Sequence, residues 1–183
     1  MYWDAKIEHQ MERTYSKIMA SKYFVLAPGA SFYSKKWPIE YFMELVEKLL
    51  QKSDANIVIV GGQNDIDDAN KLQMNDRIIN FAGKVTLLES AIVLKNAEAL
   101  VSNDSGVMHM AAAVGTPLIG IFGSTVEQFG FFPYRSKFKI IENEGLNCRP
   151  CSHVGKDFCP KGHFRCMLEL HPQKIYDALI HLI

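Results

Sequence analysis

Residues 99–123 read ALVSNDSGVMHMAAAVGTPLIGIFG, and the fold follows from how that stretch divides. Ala99-Leu100-Val101 is a short apolar run, as expected of a strand buried on both faces. Asn103, Asp104 and Ser105 interrupt it with side chains that favour turns and helix caps. Gly106 to Val114 then reads as a helix, with Asp104 or Ser105 as its N-cap. Gly115 stands where a left-handed C′ residue ends a helix. Leu118–Phe122 is a second apolar strand.

Outward from this unit the same alternation continues. Tyr23-Phe24-Val25-Leu26-Ala27 reads as a buried strand, Pro28-Gly29-Ala30-Ser31 as a turn, and Pro38 as the first residue of a helix that buries Phe42, Leu45, Val46, Leu49 and Leu50. Ile57–Val60 is a strand ended by Gly61-Gly62, with a helix expected over Asp65 to Met74. Ile78–Phe81 is a short strand. Thr86 and Glu89 form a T-x-x-E capping box that starts a helix through Leu94. A last strand is expected over Phe138–Ile141 and a last amphipathic helix over Lys174 to Ile183. Short apolar strands alternating with helices predict an α/β fold, a Rossmann-like parallel sheet with helices on both faces.

Ahead of the first strand, Tyr2, Trp3, Ile7, Met11, Tyr15 and Ile18 recur at spacings of three and four, which predicts one helix over 2–19 with a single apolar stripe. The stripe packs on its own domain or on a partner, and an exposed face would make it a homodimer surface. The chain thus divides into an N-terminal amphipathic helix, 1–22, and a domain over 23–183.

Composition narrows the function. Of the 183 residues, 48% are hydrophobic and 22% charged, so the chain can offset its ordering entropy and is not a disordered one. Twenty basic residues balance twenty acidic ones, with no basic run of the kind that marks a nucleic-acid face. No apolar stretch approaches the ~20 residues of a spanning helix. The N-terminus mixes Asp4, Lys6, Glu8 and Glu12 among apolar residues and lacks a secretory core. The expected location is cytoplasmic.

Three loops at carboxyl ends of strands carry the candidate chemistry. In Asn103-Asp104-Ser105-Gly106-Val107-Met108-His109 the first-turn amides of a helix point outward and its dipole adds about half a positive charge, which together favour an anion. His109 sits one turn in and can donate to the same anion; the plain alternative is a capped helix with a core histidine. In Ser31-Phe32-Tyr33-Ser34-Lys35-Lys36-Trp37-Pro38, two lysines precede a helix. An ammonium there can sit over a diphosphate as a point charge, the alternative being two solvated lysines. In Gly61-Gly62-Gln63-Asn64-Asp65, the Asp65 carboxylate can accept from a ribose or cap the helix.

Taken in this order, the loops resemble the donor-binding half of the heptosyltransferases, glycosyltransferase family 9. The likeness rests on Pro28-Gly29-Ala30-Ser31 with Lys35-Lys36-Trp37-Pro38, on Gly61-Gly62 and Phe81-Ala82-Gly83-Lys84, and most specifically on Ser102 to His109 followed by Ala111-Ala112-Ala113. Gly115-Thr116-Pro117 and Phe122-Gly123-Ser124-Thr125 continue it. The resemblance implies the C-terminal half of a GT-B enzyme that transfers heptose from ADP-heptose to a bacterial lipopolysaccharide core with inversion. It implies no required cofactor and a location in the cytoplasm or peripheral at the inner membrane. By the same resemblance Ser105, Gly106, Val107, Met108 and His109 hold the diphosphate, and Asp104 is counted with them as a donor-binding residue. Lys35 neutralises the leaving group, Ser31 adds a hydroxyl, and Asp65 takes the ribose. A full member carries a preceding acceptor domain that supplies the general base. This chain is therefore expected to be incomplete for catalysis, whether as an excised domain, a truncated product or half of a split enzyme. The rival readings are another GT-B enzyme acting on UDP- or GDP-sugars, an epimerase among them, and a nucleotide-binding module without catalysis.

Within residues 145–170, Cys148-x2-Cys151-x7-Cys159-x6-Cys166 lies with His153 and His163 in a segment broken by Pro150, Pro160 and Gly162. Four thiolates can hold a tetrahedral zinc. Disulfides and reduced thiols are the other readings, and a zinc-centred interaction module is the corresponding functional one.

Overall fold

The computed structural model describes residues 5–183; Tyr2 and Trp3, at the head of the N-terminal stripe, lie outside them. In chain order the elements are α1 (Ala5–Thr14), α2 (Ser16–Met19), β1 (Tyr23–Ala27), α3 (Ile39–Lys52), β2 (Asn56–Ile59), α4 (Ile66–Leu72), β3 (Ile78–Asn80), α5 (Leu87–Lys95), β4 (Ala99–Asn103), α6 (Gly106–Val114), β5 (Leu118–Phe122), β6 (Phe138–Glu142), α7 (Arg165–Leu168) and α8 (Pro172–Leu182). The strands form one six-stranded sheet in the order β3-β2-β1-β4-β5-β6, every neighbouring pair parallel.

Alternation along each strand makes two cores from one sheet, because successive side chains point to opposite faces. Phe24, Leu26, Ile57, Ile59, Val101, Ile119 and Ile121 pack with Leu45, Leu49, Leu72, Ile175 and Leu179, which come from α3, α4 and α8. Tyr23, Val25, Ala27, Val58, Leu100 and Phe122 pack on the other face with Ile92, Met108 and Ala111, which come from α5 and α6. Fully burying one Leu, Ile, Val or Phe contributes about 1.5–3 kcal/mol, so both layers are needed. Burial of β1 and β4 on both faces explains why Tyr23–Ala27 and Ala99-Leu100-Val101 read as apolar runs.

The N-terminal segment differs from the single helix predicted over 2–19. The backbone leaves helical geometry at Tyr15 (φ −120°, ψ 33°), where the Tyr15 ring meets Phe81 edge-on at 4.6 Å. Met11 is 1% exposed within the second core, with Ile7, Tyr15 and Ile18 packed around it. Lys95 Nζ on α5 reaches Glu8 at 2.9 Å. The described part of the stripe packs on its own domain.

Other boundaries shift for local reasons. Pro38 is the N-cap of α3 rather than its first residue, because its ψ of 136° is extended. The helix expected over Asp65–Met74 opens as a 3-10 turn, Gln63–Asp65, and ends at Leu72. The capping box at α5 is present as expected: Glu89 N–H donates to Thr86 Oγ1 at 3.2 Å, and Thr86 N–H to Glu89 Oε2 at 2.7 Å. Gly115 ends α6 with φ 85°.

From β1 the chain moves outward to β2 and β3; from β4 it moves the other way to β5 and β6. Leu26 pairs with Val101 and Ala27 with Ser102, so the two central strands end level. The loops that follow them diverge and leave a crevice at the carboxyl edge, the place where open parallel sheets bind ligands.

Candidate functional site

That crevice is a cleft of about 800 Å³, within the usual range for small-ligand pockets. Ser31, Asp65, Ser105, Gly106, Val107 and His109 line it. Lys35, Asp104 and Met108 are not on its wall.

The front of α6 presents amides without a cap. Ser105 holds the N-cap position in extended geometry (φ −148°, ψ 169°), and its side chain makes no capping bond. Its Oγ lies instead 3.1 Å from Ser102 Oγ. The first N–H groups of a helix have no partner within it, so those of Gly106, Val107 and Met108 are left for a ligand. A Cβ placed on Gly106 would meet nothing within 4 Å. The chain's own packing therefore does not require glycine here, and the space before the amides stays open. Met108 can contribute only its amide, since its side chain is buried in the second core. His109 is exposed on the cleft wall, which removes the core-histidine alternative.

Asp65 both caps and lines. Its Oδ2 accepts the Gly62 N–H at 2.8 Å, the cap reading of that residue. The carboxylate also lies flat on the neighbouring loop: a Cβ on Gly29 would stand 2.3 Å from its Cγ, and one on Gly61 2.9 Å from its Cβ. Here glycine is required, because two backbones and a carboxylate meet with no room between them.

Lys35 ends a 3-10 turn, Tyr33–Lys35, and is not a solvated surface lysine. Its side chain is 11% exposed, and Nζ sits 2.7 Å from Asp104 Oδ2, on a side chain 5% exposed. Its neighbour Lys36 turns away to Asp68 at 3.7 Å. Thr125 Oγ1 donates to the same Asp104 oxygen at 2.7 Å. Asp104 thus holds the lysine and does not cap α6. Asn103, fully buried, ties the same loops: its Oδ1 accepts the Trp37 N–H at 3.0 Å, and its Nδ2 donates to Pro28 O at 2.7 Å.

The cysteine-bearing segment straps over these loops. Arg149, its side chain 5% exposed, donates to Gly123 O, Asn143 O and Thr125 O at 2.5, 2.7 and 2.8 Å, and pairs with Glu142 at 2.6 Å. Lys156 and Ser34 exchange two bonds: Ser34 N–H to Lys156 O at 2.9 Å and Lys156 N–H to Ser34 Oγ at 2.8 Å. Cys151 N–H donates to Ser124 O at 3.3 Å. Neither Arg149 nor Thr125 stood out in the sequence; Thr125 had only its place after Phe122-Gly123-Ser124 as a signal.

All four cysteines are free thiols. Cys166 is buried beside Met167 and Leu170 in the first core, and Cys159 packs against it. Cys148 instead faces His163, with Sγ 3.8 Å from Nε2. Among the described residues no group of three or more His, Cys, Asp or Glu side chains is placed to hold a metal ion. Burial pushes the Cys166 thiol up to about 11 and raises Cys151 as well, with the neighbouring cysteines adding to both.

The chain matches the family model of glycosyltransferase family 9 (heptosyltransferase) over residues 3–161. It is 31% identical over 166 residues to lipooligosaccharide heptosyltransferase 2 of Haemophilus influenzae, a match covering 85% of this chain and 46% of that protein. The fold is similar to that of Escherichia coli ADP-heptose lipopolysaccharide heptosyltransferase II, with a TM-score of 0.79 at 23% identity, over all of this chain and 52% of that one. It is also similar to a family 9 glycosyltransferase from Veillonella parvula, with a TM-score of 0.82 at 19% identity, over 100% and 52%. The chain thus spans about half the length of the curated relatives it matches. No helix among the described residues is long and apolar enough to cross a membrane.

Proposed function

The chain belongs to glycosyltransferase family 9, the heptosyltransferases, and from that membership we propose that it binds the diphosphate of ADP-heptose and forms the donor-binding part of an enzyme that passes the heptose to a lipopolysaccharide core. Residues 23–183 make up the donor domain, with α1 and α2 packed on it. The reaction it serves is inverting transfer at the cytoplasmic face of the inner membrane. An acceptor hydroxyl attacks the anomeric carbon, the bond from that carbon to the diphosphate oxygen breaks, and ADP leaves with the electron pair.

One observation carries this reading: the uncapped amides of Gly106 and Val107, at the front of α6, open onto a cleft of nucleotide size. Negative charge grows on the departing diphosphate, and donors already fixed in place stabilise it without reorganising. Lys35 adds a positive charge at the same end of the sheet. Its ammonium has three N–H groups, and Asp104 engages one side of it. Ser31 and His109 add donors from the two walls, and Asp65 offers an acceptor to a ribose hydroxyl. The acceptor and its general base belong to a domain beyond the described chain.

Calorimetric titration of the chain with ADP, UDP and GDP tests this. ADP is expected to bind most tightly and to shift the Gly106 amide resonance. Equal affinity for the three would favour a different nucleotide-sugar enzyme, and no binding to a folded sample would remove the reading.

A further inference from the structure

Three contacts run in sequence from the cysteine-bearing segment to the lysine. The Arg149 guanidinium holds the Thr125 carbonyl at 2.8 Å, and the Thr125 hydroxyl holds Asp104 Oδ2 at 2.7 Å. Asp104 Oδ2 holds Lys35 Nζ at 2.7 Å. From the other side, Ser34, immediately before Lys35, is gripped through both its N–H and its Oγ by the Lys156 backbone. We infer that Thr125 and Arg149 are positioning residues for Lys35, and that the segment 148–156 serves the diphosphate site by supplying Arg149 and by gripping Ser34. This rests on the proposed role of Lys35 at the leaving diphosphate.

The physical case is one of constraint. A lysine side chain has four rotatable bonds and aims its charge poorly unless something fixes it. A carboxylate alone would let the ammonium swing about it. Here Asp104 is itself fixed, because the oxygen that meets Lys35 also accepts from Thr125. Thr125 in turn cannot shift, because the planar guanidinium of Arg149 ties its carbonyl to Gly123 O, Asn143 O and Glu142 at once. Arginine suits this place because its donors form a rigid fork. Lys35 Nζ also lies 5.4 Å from the centre of the Phe131 ring, whose face attracts a cation.

The test compares the affinities of the 183-residue chain for ADP and for AMP, which lacks the second phosphate. Thr125→Val removes the hydroxyl at nearly constant shape, Thr125→Ser keeps it, Arg149→Lys keeps the charge without the fork, and Lys35→Met removes the ammonium. Thr125→Val and Arg149→Lys are expected to weaken ADP about tenfold while leaving AMP nearly unchanged. Thr125→Ser is expected to restore the wild-type ratio. A role in structure alone would weaken both ligands together and overturn the inference. The Lys35 ammonium signal in 15N spectra without nucleotide gives a second readout. It is expected to be protected from exchange in the wild type and lost in Thr125→Val, and its persistence there would also overturn the inference. If Lys35→Met abolishes the ADP preference but Thr125→Val leaves it intact, the positioning role falls and the function stands. If Lys35→Met changes nothing, the role of Lys35 and the positioning role both fall, and the amide site at the front of α6 is judged by the ADP titration alone.

Discussion

Lys35 and Asp104 form an ion pair at 2.7 Å with both side chains nearly out of solvent, and they belong to loops that follow different strands. The pair therefore joins the two sides of the crevice. Breaking one partner of such a pair leaves the other charge stranded at low dielectric. Lys35→Met is expected to lower unfolding stability by about 3 kcal/mol. The double variant Lys35→Met/Asp104→Asn should recover much of that loss. Urea denaturation midpoints read both effects, and additive losses would show that the pair is not coupled.

Gly106 separates stability from binding. Since a Cβ there meets nothing in the protein, Gly106→Ala is expected to leave the melting temperature unchanged or slightly raised. The same methyl group would stand where a phosphate approaches the amides, so ADP affinity is expected to fall at least about tenfold. Calorimetry and thermal melts on one sample check both halves.

Gly29 behaves in the opposite way. A Cβ there collides with the Asp65 carboxylate at 2.3 Å, so Gly29→Ala is expected to destabilise by about 1–3 kcal/mol. Adding Asp65→Ala removes the obstacle and should return part of that loss, as thermal or urea unfolding of the double variant would show.

Alkaline pH should weaken the fold through Cys166 and Tyr23. Burial holds the Cys166 thiol at about 11 against an ordinary value of 9.0. The folded state therefore keeps its proton between those values while the unfolded state loses it. Stability from this group is complete below pH 9 and declines as pH rises towards 11. Tyr23 is raised in the same sense by burial, its hydroxyl donating to Val93 O at 2.8 Å, and it adds a loss above pH 10. Urea midpoints measured from pH 8 to 11 are expected to fall, less steeply in Tyr23→Phe.

Sequence legibility followed the range of the interaction involved. The Thr86–Glu89 box, the Gly115 stop and the runs of β1, β4 and β5 depend on neighbours a few residues apart, and each is present in the structure. The amide-bearing turn at Gly106 was legible for the same reason. The partners of Asp104 were not. Thr125 follows β5, and it reaches Asp104 only because β5 lies beside β4 in the sheet. The reading of Asp104 as a cap failed on that long-range competition. Arg149 lies in a segment of prolines, glycines and cysteines, where the thiols drew attention and the guanidinium gave no local pattern. The one-turn helix α7 is too short to show periodicity.

The acceptors of Arg149 tie the strap to two strands of the sheet edge. Gly123 and Thr125 lie just beyond β5, while Glu142 and Asn143 lie at the end of β6. The guanidinium has no complete berth unless β6 lies at the sheet edge, so loosening that edge strand would also slacken the strap that steadies the loops.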